Sequence, residues 1–312
     1  MKQLIANILK VALATLALLC VIQIVVSIRI HGVTVNGQDN LEQVERANAD
    51  VIFIGNSRCL TTFVPSVFKT YGINGLNLGL HGHANINYIL CRYRDYRLRD
   101  NRAPKIVVIN LDPFSSSDEH ADYRKDRFAR YAFLPKVADT IMLNYFRFNF
   151  AERYIPAYAI LKYRMFFDCI LLNNRSEWVK SGMELAPHKL CESKDDSSFA
   201  DQLFLTFRPK DRDSLLTSQL IVLRSRLAQD GVKLVAVQVP VYRKIYNARF
   251  EDTKRICASA GVPLLDFCDS TFDNDCSIFS DYDHLNKEGA MIISNLTARK
   301  IAAGEAFAYS RK

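Results

Sequence analysis

A serine hydroxyl is a weak nucleophile at neutral pH. It attacks a carbonyl when a nearby imidazole takes its proton and a carboxylate orients and steadies that imidazole. The 312-residue chain carries side chains of these three kinds in two short stretches. Gly55-Asn56-Ser57-Arg58 follows directly on the apolar run Val51–Ile54, and Asp281-Tyr282-Asp283-His284 stands just before the last helical segment. Ser57 as nucleophile, His284 as general base and then general acid, and Asp281 as the orienting carboxylate would together transfer an acyl group. Each stretch alone reads as well as structure, since Gly, Asn and Ser are ordinary turn formers and an Asp-His pair can sit at the surface and cap a helix.

Bringing residues 57 and 281–284 together requires elements that return the chain to one edge. Short apolar runs at Val51–Ile54, Gly75–Leu78, Ile106–Leu111, Leu234–Val239 and Pro263–Phe267 read as buried strands. Between and after them Asn85–Arg99, Ser214–Gln229, Tyr246–Ala260 and Lys287–Ala303 have helical periodicity, with Asn286 as N-cap of the last. This alternation predicts a three-layer, doubly wound (flavodoxin-like) α/β fold of about five parallel strands. Ser57 would then lie at the carboxyl end of the first strand, where open α/β sheets hold their ligands.

Three features lie outside that alternation. Val11–Ile28 is uncharged and extends toward Leu4 with only Lys10 intervening. It is long enough to span a bilayer, which takes roughly 20 apolar residues, and its exit at Val26-Ser27-Ile28-Arg29 is a poor cleavage site. We therefore read residues 1–31 as an uncleaved anchor, 32–49 as a linker and entry helix, and 50–310 as the catalytic domain. Lys2 and Lys10 favour a cytoplasmic N-terminus and an exported domain, single-pass in an inner or plasma membrane. The interval from about 115 to 205 reads as a helical insertion. Residues 114–167 hold 14 of the chain's 34 aromatic side chains, about twice the average density, interleaved with Arg124, Arg127, Arg130, Arg147, Arg153 and Arg164. These aromatics read as the insertion's own core, or as a sugar-stacking or membrane-contacting wall. Among the eight cysteines, Cys268 and Cys276 flank a turn-like segment and are the first choice for a bridge in an exported domain.

The net charge of +8 suits anionic lipid or an anionic polymer, and the absence of a recognition motif argues against nucleic acid. Arg92, Arg94, Arg97, Arg99 and Arg102 read as a solvated basic face, with lipid headgroups or an anionic polysaccharide as the functional alternatives. No Cys/His cluster has zinc-ligand spacing, so neither a metal nor a cofactor is expected.

Ser57 after the first strand and Asp281-x-x-His284 before the last helix, in that order, resemble the SGNH (GDSL-like) hydrolase superfamily. The resemblance implies that Ser57 is the nucleophile and that Asp281 and His284 complete the triad. Asn77-Leu78-Gly79-Leu80-His81-Gly82 resembles the superfamily's second block. There the N–H of Gly82, or alternatively of Gly79, would join Ser57 N–H in an oxyanion hole. The third block departs. Its usual Gly-x-Asn-Asp supplies an Asn side-chain donor, whereas this strand ends Ile109-Asn110-Leu111-Asp112-Pro113, with Asn110 inside the strand. Asp112 falls near the expected loop, but an ionised carboxylate cannot donate to an oxyanion.

Gly-Asn-Ser-Arg in place of Gly-Asp-Ser-Leu, with an anchor and Asp112-Pro113, is similar to the membrane-anchored branch related to D-alanyl-transfer and polysaccharide O-acetylation proteins. That implies a serine esterase or O-acyltransferase acting on an acylated envelope glycan, with acetyl as the acyl group, beside a membrane-bound acyltransferase. Arg58, Asp112 and His81, with His83 beside it, are candidate substrate contacts. For Arg58 the alternative, a pair with a neighbouring carboxylate, stands equally open. The alternative is a non-catalytic SGNH-fold protein that binds or scaffolds an envelope polysaccharide assembly.

Overall fold

Val51, Ile52, Phe53 and Ile54 are β-branched or aromatic and all four are buried, as a strand covered on both faces requires. They form β1 of a five-stranded sheet with β2 (Gly75–Asn77), β3 (Ile106–Asn110), β4 (Lys233–Gln238) and β5 (Leu264–Asp266). Every pairing is parallel and the strand order is β2-β1-β3-β4-β5. This is the flavodoxin-like order, whose winding reverses between β1 and β3 and opens a crevice at their carboxyl ends. The computed structural model describes residues 1–30, 41–80, 85–115, 125–164, 210–242, 248–268 and 270–307.

The chain divides into two compact units. The larger, Val44–Glu119 with Glu177–Lys312, holds the sheet. The smaller, Met1–Gln43 with His120–Ser176, joins helix α1 (Lys2–Ile30) to the described part of the insertion. Within the larger unit, two short helices, α2 (Ser57–Thr62) and α3 (Pro65–Thr70), follow β1, and α4 (Ile86–Arg97) follows β2. In the smaller unit the insertion forms α5 (Lys125–Phe128), α6 (Val137–Tyr145), α7 (Phe150–Tyr154) and α8 (Tyr158–Lys162). Back in the larger unit, α9 (Asp213–Gln229) precedes β4, α10 (Ala248–Ala260) connects β4 to β5, and α11 (Lys287–Ala302) closes the domain. Helix α11 packs on α2 and α3, and α9 packs on α4 and α10. Its core side chains Ile293, Ala298 and Ile301 join Val51, Phe53, Phe63, Phe68 and Val108 in one apolar cluster. Asn286 caps α11, its side chain accepting from Gly289 N–H.

Within helix α1 the 28 residues from Lys2 to Arg29 have a mean hydropathy of 2.7 over their most apolar window. It is long and apolar enough to cross a membrane, as an anchor or as a signal sequence.

Two expectations change. Cys268 is a free thiol whose Sγ meets Val239 O at 3.1 Å, while Cys276 is disulfide-bonded, so the short loop between them is not closed by a Cys268–Cys276 bridge. The arginines of α4 and its C-terminal turn are not one solvated face. Arg92 and Arg99 are buried against the buried carboxylate of Asp95, Arg99 also reaches Glu45, and Arg102 pairs with Asp50. Asp95 lies three residues after Arg92 and four before Arg99, so one helix face places it between them.

Candidate active site

The nucleophile turn is built by three polar side chains. Asn56 ends the β1 turn in extended backbone and caps α2, its Oδ1 accepting from Arg58 N–H at 2.9 Å and Cys59 N–H at 3.4 Å. Asn110, the last residue of β3, holds Asn56 in place: its Oδ1 accepts from Asn56 N–H at 3.1 Å and its amide donates to Asn56 Oδ1 at 2.8 Å. Gly55 is required here because a Cβ would overlap Asn110 Oδ1. Asn77 fixes the other end of α2, donating to the carbonyls of Cys59, Leu60 and Phe63. Ser57 therefore occupies the first position of a short helix clamped at both ends.

The loop before α11 brings the imidazole to it. His284 Nε2 lies 2.8 Å from Ser57 Oγ. On the other side of the ring, Nδ1 is 3.0 Å from both oxygens of Asp281 and 3.0 Å from Asp283 Oδ1. Because Nδ1 faces only carboxylates, it carries a proton, and in the neutral ring Nε2 is the acceptor. Asp281 Oδ1 also accepts the backbone N–H groups of Asp283 and His284 at 3.0 and 2.7 Å, which shapes the turn. Burial opposes charging His284, but Asp283 and Asp281 outweigh it and raise the imidazole to about 10. Burial likewise works against the Asp281 carboxylate, and hydrogen bonds from His284 and Asp283 hold it well below the usual carboxylate range.

Arg58 and Asp112, expected near substrate, lie underneath the site. Arg58 is 1% exposed, and its guanidinium meets Asp112 Oδ2 at 2.5 Å, Val239 O at 2.5 Å, Pro240 O at 3.0 Å and Asp283 O at 2.9 Å. One side chain next to the nucleophile thus ties together the ends of β3 and β4 and the histidine loop. The Phe114 ring lies 5.4 Å from its guanidinium carbon. Asp112 is fully buried and accepts from Asn110 and Phe114 N–H as well. These contacts match the carboxylate-pairing alternative for Arg58.

The oxyanion donors are partly accounted for. Ser57 N–H, at the start of α2, makes no hydrogen bond among the described residues. Gly79 N–H is committed to Asn77 Oδ1 at 2.9 Å, which removes it as a donor to substrate. Gly79 is instead required by packing, since a Cβ there would press on the backbone of Leu60. Asn110 directs its amide nitrogen at Asn56 Oδ1 and Asp112 Oδ2, with contacts of 2.8 and 3.2 Å, so both amide hydrogens are used. Gly82, His81 and His83 lie outside the described residues. Among the described residues, Asp281, Asp283 and His284 are the group close enough to ligate a cation, and each already has a place in the hydrogen-bond chain to Ser57.

Sequence reasoning did not separate Asp283 from its neighbours or give Asn77 and Asn110 a supporting role. The available signal was the Asp-x-Asp-His spacing, which places two carboxylates within three residues of the histidine.

No family model and no curated protein matches the chain. Among solved structures, a GDSL-like lipase from Bacteroides thetaiotaomicron is similar over 82% of this chain and 88% of its own, at 13% identity and a TM-score of 0.37. A likeness of that size carries no argument about function.

Proposed function

We propose that this chain is a serine-dependent esterase or O-acyltransferase that works through an acyl-Ser57 intermediate. The observation that carries the reading is the unbroken hydrogen-bond chain from Ser57 Oγ through His284 to Asp281, with contacts of 2.8 and 3.0 Å. Neutral His284 takes the hydroxyl proton as Ser57 Oγ bonds to the ester carbonyl carbon, and the oxyanion forms against Ser57 N–H. His284 then returns the proton to the departing alcohol as the ester bond breaks. Water or a sugar hydroxyl, deprotonated by the same ring, attacks the acyl-enzyme and frees Ser57. Asp281 keeps Nδ1 protonated and stabilises the imidazolium between these steps.

The Gly-Asn-Ser-Arg form, the apolar α1 and Asp112-Pro113 support a narrower reading by resemblance. In it the acyl group is acetyl, the acceptor or substrate is an envelope glycan, and a membrane-bound acyltransferase is a partner. Helix α1 is then a retained anchor in the inner or plasma membrane, with the larger unit on the exported side.

A second reading, a non-catalytic glycan-binding or scaffold protein, is favoured by one observation: the side chains of Asn110 and Asp112 are turned into the scaffold and offer no oxyanion donor. Loss of one such donor lowers turnover by about 10² to 10³. A fluorophosphonate probe separates the two. The enzyme reading expects detergent-solubilised wild type to label at Ser57, with labelling abolished in Ser57→Ala and strongly slowed in His284→Ala. Absence of labelling in folded wild type contradicts it.

A further inference from the structure

Within the smaller unit the buried side chains are mostly apolar, yet large apolar side chains also stand on its outside. At its centre Glu152 is fully buried and is met by Lys125 and Lys162, the Tyr163 hydroxyl and Asn149 N–H. Phe128 and Phe146 stack beside one another at 4.4 Å, and both are buried. On the outside of α7 and α8, by contrast, Phe150 is 75% exposed, Tyr154 is 52% exposed, and Ile155, Tyr158 and Leu161 are also exposed. Five large apolar side chains within twelve residues form a patch of the kind that marks an interaction surface.

The location of this patch indicates what covers it. Helix α1 is exposed along most of its length, but Gln23 and Val26 are buried. Gln23 Oε1 accepts from Ala157 N–H at 2.9 Å, and Ala157 is the left-handed residue (φ 56°) between α7 and α8. Gln23 is seven residues before the end of α1, so at 1.5 Å per residue the attachment lies about 10 Å from that end. Of the 29 residues of α1 a hydrocarbon core takes about 20, so a bilayer centred on the helix has its boundary about one helical turn from Gln23. The exposed patch flanks Ala157 on both sides, and the exposed Arg147, Lys162 and Arg164 lie on the same short helices and turns. Aromatic and aliphatic side chains with nearby cations suit the headgroup boundary of an anionic leaflet.

We propose that the α7–α8 face carrying Phe150, Tyr154, Ile155, Tyr158 and Leu161 lies in the interfacial layer of the bilayer that α1 spans, giving the protein a second, non-spanning lipid contact. The proposal rests on α1 being a retained span and assigns the insertion a role that the acyl-transfer reading does not contain.

The test uses the full chain in vesicles of phosphatidylethanolamine and phosphatidylglycerol, with Trp178→Phe removing the single native tryptophan. Single tryptophans are then introduced as Phe150→Trp and Tyr158→Trp, as Leu13→Trp within α1, and as Val222→Trp on exposed α9. Lipids brominated near the headgroup end of the acyl chains should quench Phe150→Trp and Tyr158→Trp by roughly half, as expected for side chains some 5–10 Å into the boundary, and leave Val222→Trp unquenched. Quenching of Leu13→Trp by chain-end bromines, with Phe150→Trp and Tyr158→Trp no more quenched than Val222→Trp, overturns the lipid face while α1 remains a span. If Leu13→Trp is not quenched either, the span itself fails and the proposal falls with it.

Discussion

His284 meets two carboxylates through one ring nitrogen, and that fact sets the pH behaviour of the site. Asp281 accepts two backbone N–H groups and so is fixed by its own turn, whereas Asp283 adds a second negative charge at 3.0 Å from Nδ1. The imidazole is raised well above its ordinary value, so neutral His284, the form that can accept the Ser57 proton, increases as pH rises from neutral into the alkaline range. Acylation rates should climb over the same range. Asp283→Asn removes one of the charges holding the imidazolium, so the ascending limb should move to lower pH, while Asp281→Asn should lower the rate at every pH. A rate-against-pH profile of fluorophosphonate labelling distinguishes these outcomes. An unmoved limb in Asp283→Asn would show that Asp283 does not govern the base. Arg58 presents a different case. Arg58→Ala takes the guanidinium away from buried Asp112, and breaking a buried ion pair in this way typically costs about 3–5 kcal/mol, which should appear as a lower Tm together with slower labelling. Arg58→Lys should not restore either property, because one ammonium cannot reach four acceptors in the geometry of a guanidinium. The sequence left Arg58 between two roles because nothing in a linear string shows that its neighbour Asp112 is buried.

At the scale of elements, the site depends on how closely α2 is held against β1 and β3. Gly55→Ala would drive a methyl group into Asn110 Oδ1 and shift the nucleophile turn. A displacement of about 1 Å at a reacting atom can cost 10²-fold in rate. Labelling of Gly55→Ala should therefore fall by about that factor in protein that keeps its helical and sheet signal by circular dichroism. Asn286→Ala removes the cap of α11 and the bonds from its amide to Ser277 O and Phe279 O, which shape the loop before His284. A lost cap alone costs about 1 kcal/mol, and thermal denaturation should show at least that loss. The strands and long helices were legible because buried runs and 3.6-residue periodicity extend over enough positions to read. Helices α2 and α3 were not, since six residues each give too little periodicity and Arg58, Thr61 and Thr62 disguise a buried face. The same shortness concealed the separate helices of the insertion.

For the whole molecule, the alternation of strand and helix was sufficient to give a parallel doubly wound sheet, and its strand order is the flavodoxin-like one. The grouping of the insertion with α1 in one unit was not legible, because it depends on contacts between residues far apart in the chain, such as Gln23 with Ala157, 134 positions apart. Overall stability carries a signature of the triad. Folded His284 stays charged to about pH 10, whereas in the unfolded chain a histidine loses its proton near 6.5. Folding therefore gains stability from this group in full below about pH 6.5, and the gain is lost as pH rises through 10. Wild-type Tm should fall from pH 7 to pH 10, and the fall should be shallower in His284→Gln.

The central claim is that Ser57 carries the acyl group, and peptide mass spectrometry after brief incubation with an activated acetyl ester tests it most directly. We expect an acetyl adduct on the peptide containing Ser57 in wild type, absent from Ser57→Ala and sharply reduced in His284→Ala. An unmodified Ser57 in folded wild type, or an adduct that persists in His284→Ala at the wild-type rate, would contradict it.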